Sequence, residues 1–78
     1  MCVEVISAKA LPNHKLLVGF TTGEKKIFDF APKLDKPAFQ RLKNPVLFSR
    51  AKADYSAVIW NDEIDIAAEA LYEGGVPA

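Results

Sequence analysis

The sequence predicts an α+β domain, a mainly antiparallel sheet with two short helices in the order βββ-α-ββ-α. Three observations predict it. Short runs rich in Val, Ile and Phe alternate apolar and polar residues, the period of a half-buried strand. Reversals bearing Gly or Ser separate those runs at hairpin spacing. Two other stretches carry apolar residues three or four apart, one opening on a proline and one closing on a glycine. The 78 residues make one domain over 1–78.

The elements follow in order. "CVEVISAKAL" is a first strand, and Pro12, Asn13 and His14 turn the chain. "KLLVGF" puts Leu16, Val18 and Phe20 on one face. Gly23 in "TTGE" reverses the chain, and "EKKIFDF" returns as the third strand. Pro32 and Pro37 interrupt any helix, because the residue before a proline avoids the helical region. Pro37 is favoured as a first helical residue, so "PAFQRLKN" is a short helix with Phe39 and Leu42 on one face, ended by Asn44-Pro45. "RAKADY" alternates Ala51, Ala53 and Tyr55 against Arg50, Lys52 and Asp54. A turn near Ser56 leads into "AVIWN" as a second hairpin. "IDIAAEALYEGG" then spaces Ile66, Ala70 and Leu71 as one helix face and stops at Gly74.

Composition narrows the function classes. A chain of this length buries roughly 60% of its unfolded surface, enough for one core but not for a deep substrate cavity as well. Its expected stability is roughly 4–12 kcal/mol, at roughly 0.05–0.15 kcal/mol per residue. One cysteine, Cys2, excludes an internal disulfide and fits a reducing compartment. No apolar run approaches the ~20 residues of a membrane helix, and "MCVEVISAK" lacks the pattern of a secretory signal. A cytoplasmic protein without membrane attachment is the expectation.

Net charge is zero but unevenly distributed. Residues 33–52 carry Lys33, Lys36, Arg41, Lys43, Arg50 and Lys52 against Asp35, net +5. Residues 54–78 carry Asp54, Asp62, Glu63, Asp65, Glu69 and Glu73 and no base, net −6. Such a bipolar chain either steers charged partners or brings its two segments together in space.

The cluster Asn61, Asp62, Glu63 and Asp65 beside Trp60 has two readings. Paired carboxylates serve acid–base chemistry when their environments separate their pKa values, and oxygen ligands hold hard cations. The EF-hand spacing is absent, however, and no base lies between 53 and 78. A turn at Asn61-Asp62, with Asp65 capping the last helix, needs less. Trp60 is expected in the core, with a partner-binding hot spot as the alternative. One His and one Cys do not make a zinc site, and Cys2 and His14 have no visible third group to form a nucleophile system. Nucleotide-binding and hydrolase motifs are missing. No metal and no cofactor are expected.

"LLVGFTTGEKKIFDFAPKL" and "PVLFSRAKADYSAVIWNDEIDIAAEALYE" carry Phe20, Gly23, Phe28, Asp29, Phe48, Trp60, Asp65, Leu71 and Tyr72. In this pattern the chain resembles the small bacterial family known as domain of unknown function 2442. Members often have Pro after the Trp and Gly shortly before the Asp, where this chain has Asn61 and Glu63-Ile64. The resemblance implies the same α+β fold and no known activity. Some members carry a helix-turn-helix domain, and others are encoded beside a second small protein in what look like toxin–antitoxin pairs. That context implies a regulatory or adaptor module.

The resulting expectation is a non-enzymatic protein-interaction module, antitoxin-like or an adaptor. Its small basic partner would face Trp60, Asp62, Glu63, Glu69 and Glu73. The alternative is an accessory nucleic-acid binder using Lys33, Lys36, Arg41, Lys43, Arg50 and Lys52, although no reader motif supports such binding by this chain alone. A homodimer through open strand edges is the remaining partner option.

Overall fold

The computed structural model describes residues 3–61 and 64–78. Seven strands and two α-helices are present among these residues: β1 (Val5–Leu11), β2 (Lys15–Phe20), β3 (Lys25–Asp29), α1 (Pro45–Phe48), β4 (Lys52–Asp54), β5 (Ala57–Asn61), β6 (Ile64–Ala67), α2 (Ala68–Gly74) and β7 (Val76–Pro77). Two 3-10 segments, Ala31–Lys33 and Pro37–Lys43, precede α1. The strands form two antiparallel sheets, β1-β2-β3-β7 and β4-β5-β6. The expected α+β class is therefore observed.

The first two turns form for local reasons. Asn13 and His14 reverse β1 into β2 with φ of 64° and 57°, a region that Asn and His enter more readily than most residues. Gly23 holds φ 88° between β2 and β3, and open space surrounds the position where its Cβ would stand. Backbone conformation, not crowding, selects glycine there. Leu16, Val18 and Phe20 all point inward, as the alternation requires.

The sheets share one core. Phe30 lies at its centre, with ring centroids 5.2 Å from Phe28, 5.4 Å from Phe39, 5.8 Å from Phe48 and 5.2 Å from Trp60. Such tilted and edge-on contacts suit the ring quadrupoles. Val58, Trp60, Ile64 and Ile66 supply the smaller sheet's inner face. The Val5 N–H donates to the Tyr55 carbonyl at 2.6 Å and joins the sheets.

Three expectations about the elements need correction. The helix expected from Pro37 is 3-10 in form, although Leu42 is buried and Phe39 half-buried as foreseen. Asn44-Pro45 ends it, but Asn44 also starts α1, where its Oδ1 accepts the Val46 N–H at 2.9 Å. Tyr55 does not share an inward face with Ala51 and Ala53. It takes φ 40° at the β4–β5 turn and is 65% exposed. The final helix begins at Ala68, not in the Ile64–Ala67 stretch, which pairs with β5 instead. Ile64 and Ile66 face the core while Asp65 and Ala67 face out, a period of two. Strand pairing gives β5 a neighbour on its second edge, which a longer helix would leave open.

Candidate functional site

The last helix presents the acidic surface. Leu71 and Ala68 bury one side of α2 against the core. Glu69 and Glu73, one turn apart, remain on the exposed side. With Val3 and Tyr72 they line a shallow depression of about 260 Å³. Asp54 on β4 and Asp65 on β6 are also exposed. Among the described residues, none of Asp54, Asp65, Glu69 and Glu73 forms an ion pair. These four carboxylates are thus not neutralised by the basic segment. Asp62 and Glu63, expected beside them, lie outside the described residues, as does Cys2.

A tie to the β2–β3 hairpin holds the helix. The Tyr72 hydroxyl donates to Glu24 Oε1 at 2.5 Å. The Lys26 ammonium donates to the Tyr72 carbonyl at 2.7 Å and stands 3.7 Å from the centre of its ring. The hydrogen bond from Tyr72, then one from Thr22, holds the Glu24 carboxyl below its usual range. The same bond to Glu24 pushes the Tyr72 hydroxyl up. Sequence reasoning named neither Val3 nor the Glu24–Tyr72–Lys26 group for this site. A signal for Tyr72 was present: it follows the buried Leu71 and lies three residues after Glu69, which places it at the edge of the core-facing stripe.

Trp60 is placed in the core. It is 6% exposed, and its indole N–H donates to the Phe48 carbonyl at 3.0 Å. The core reading of Trp60 therefore describes it, and it offers no surface for a partner. Asp65 is no helix cap. The residue flanking α2 is Ala67, which has no side-chain capping bond. Asn61 Oδ1 accepts the Ile64 N–H at 2.9 Å, while the rest of the turn expected at Asn61-Asp62 lies outside the described residues.

Lys33, Arg41 and Lys43 lie in the 3-10 segments, Lys36 just before the second, Arg50 between α1 and β4, and Lys52 on β4. Lys36, Arg41, Arg50 and Lys52 are exposed. Lys33 is half-buried, its ammonium 5.8 Å from the Phe28 ring centre. Lys43 pairs with Asp35 at 3.8 Å. His14 Nε2 lies 3.1 Å from the Lys43 carbonyl, and its ring meets Phe48 edge-on at 5.1 Å, so it serves the fold. Among the described residues no group of three His, Cys, Asp or Glu side chains is placed to hold a metal ion. No helix among them is long and apolar enough to cross a membrane.

No curated protein and no solved structure matches the chain. The family described as "Protein of unknown function (DUF2442)" matches residues 5–77, nearly the whole chain. The positions that carry the resemblance fall mainly in the core and turns: Phe20, Phe28, Phe48, Trp60 and Leu71 are buried, and Gly23 makes the β2–β3 turn. The chain belongs to the DUF2442 family.

Proposed function

We propose that this chain is a non-enzymatic protein-interaction module, an adaptor or antitoxin-like partner of a small basic protein. The supporting observation is the α2 surface, where exposed and unpaired Glu69 and Glu73 flank a depression that also offers Val3 and Tyr72. Carboxylates beside apolar and aromatic surface suit a Lys or Arg side chain, whose aliphatic stem packs while its charged head pairs. A helix tied through Tyr72 to Glu24 and Lys26 of the β2–β3 hairpin presents them with little ordering cost on binding.

Nucleic-acid binding through the basic segment is the weaker reading. Lys43 is already opposed by Asp35, and Lys33 is half-buried with its ammonium near the Phe28 ring.

The test is a tagged pull-down from the native cell at low and high salt, with protein and nucleic acid both identified. The expected result is a small basic protein, captured by the natural chain and lost both at high salt and with Glu69→Lys/Glu73→Lys. Capture unchanged by the double substitution contradicts the reading. Capture of nucleic acid without a protein supports the basic-segment alternative.

A further inference from the structure

The outer face of the four-stranded sheet carries a second unexplained surface. Cross-strand register places Lys9, Leu17, Ile27 and Val76 in one row across β1, β2, β3 and β7. One face of a two-layer antiparallel sheet is normally polar, and here three of the four positions are aliphatic. Val76 is 60% exposed, and Leu17 and Ile27 are half-buried on the face turned away from the core residues Leu16, Val18 and Phe28. An irregularity between Val5 and Ser7 in β1 enlarges the apolar area. It brings Ile6, 58% exposed, over the same face as Ser7, with both side chains near Gly19. Gly19 adds no side chain, and Ser7 and Ile6 fill the space over it.

The charges around this row select its occupant. Lys9, Lys15 and Lys25 project from the outer face by the same register, against Asp29 opposite Lys15, and Glu4 lies past the irregularity at one end. Among the described residues none of the three lysines forms an ion pair. With Lys9, Lys15 and Lys25 against Asp29 and Glu4 the face is net positive, so two copies meeting through it would repel, which disfavours a symmetric dimer. We propose that the face docks a protein segment with aliphatic anchors and an acidic rim. The anchors cover Leu17, Ile27 and Val76, and the acids meet Lys9 and Lys25. This surface is distinct from the acidic α2 surface, so the chain holds two partner segments of opposite charge.

A random peptide library displayed on phage, selected against the full chain, tests the proposal. The expected result is enrichment of net-acidic peptides with aliphatic side chains, whose synthetic forms shift the amide signals of Leu17, Ile27 and Val76. Lys9→Glu/Lys25→Glu lowers their affinity by at least about tenfold. Leu17→Thr/Ile27→Thr, which keeps strand-favouring residues at positions outside the core, abolishes binding while the amide spectrum stays folded. Four results overturn the proposal: enrichment of basic peptides, shifts confined to Glu69 and Glu73, no enrichment, or displacement of the peptides by self-association of the chain through this face.

Discussion

The indole N–H of Trp60 donates to the main-chain carbonyl of Phe48 at 3.0 Å, in the buried interior. That bond joins β5 to the last turn of α1 and lets a large aromatic with a polar atom sit inside the core. Trp60→Phe removes the indole donor, leaves the Phe48 carbonyl only the longer bond from the Ala51 N–H at 3.4 Å, and empties part of the site. The expected loss is about 1–3 kcal/mol, from the lost hydrogen bond and the vacated volume together. Trp60→Ala is expected to lose about 3–5 kcal/mol, a large share of a stability of roughly 4–12 kcal/mol. Urea denaturation of the two variants measures both.

Glu24 and Tyr72 link the β2–β3 hairpin to the last helix, and their protonation couples to folding. Glu24 is held below its ordinary value of 4.5 in the folded chain, first by the bond from Tyr72. Its contribution is complete above that value and is lost as pH falls through the lower folded value. Tyr72 is raised above 10.0, first by its bond to Glu24. Its contribution is complete below pH 10.0 and is lost as pH rises through the higher folded value. Tyr72→Phe should therefore lessen the fall of melting temperature at both pH extremes. Thermal melts from pH 3 to 11 check this, and an unchanged profile would show that the pair does not couple.

Gly74 lies against an aromatic ring. A Cβ there would stand 2.7 Å from Phe28 Cε2. Gly74→Ala adds helix propensity but forces the ring to move, and the crowding is expected to prevail with a net cost of about 1–3 kcal/mol. A chemical melt that shows stabilisation would mean that Phe28 yields freely.

Asp65 distinguishes strand from cap. Its side chain is exposed on β6 and makes no capping bond to α2. Asp65→Ala should change stability by no more than about 0.5 kcal/mol, as for an ordinary surface site. Loss of a true cap would cost about 0.5–2 kcal/mol. Equilibrium unfolding separates the two.

Much of the fold is legible in the local pattern. The alternation of Leu16, Val18 and Phe20, the Gly23 reversal and the Pro37 start are all local signals, and all appear where the residues place them. The failures arise where one stretch satisfies two periods. Ile66, Ala70 and Leu71 fit a helix face, yet Ile64 and Ile66 also alternate as a strand does, and the free edge of β5 decides between them. The β-branched pair was the signal that favoured strand. β7 has only two residues, and its pairing with β3 is a long-range fact that no local pattern carries. The candidate site was half legible. Glu69 and Glu73 stand out by charge, whereas Val3, Glu24 and Lys26 join them only through folding.

The central claim is that exposed acids on α2 bind a basic protein partner. The most direct measurement is the affinity of the captured partner for three chains: the natural one, Glu69→Lys/Glu73→Lys and Lys36→Glu/Lys52→Glu. The account predicts at least about a tenfold loss for the first variant, a steep weakening of the natural chain with salt, and little change for the second variant. Affinity unchanged by reversal on α2, or lost instead by reversal at Lys36 and Lys52, would contradict it.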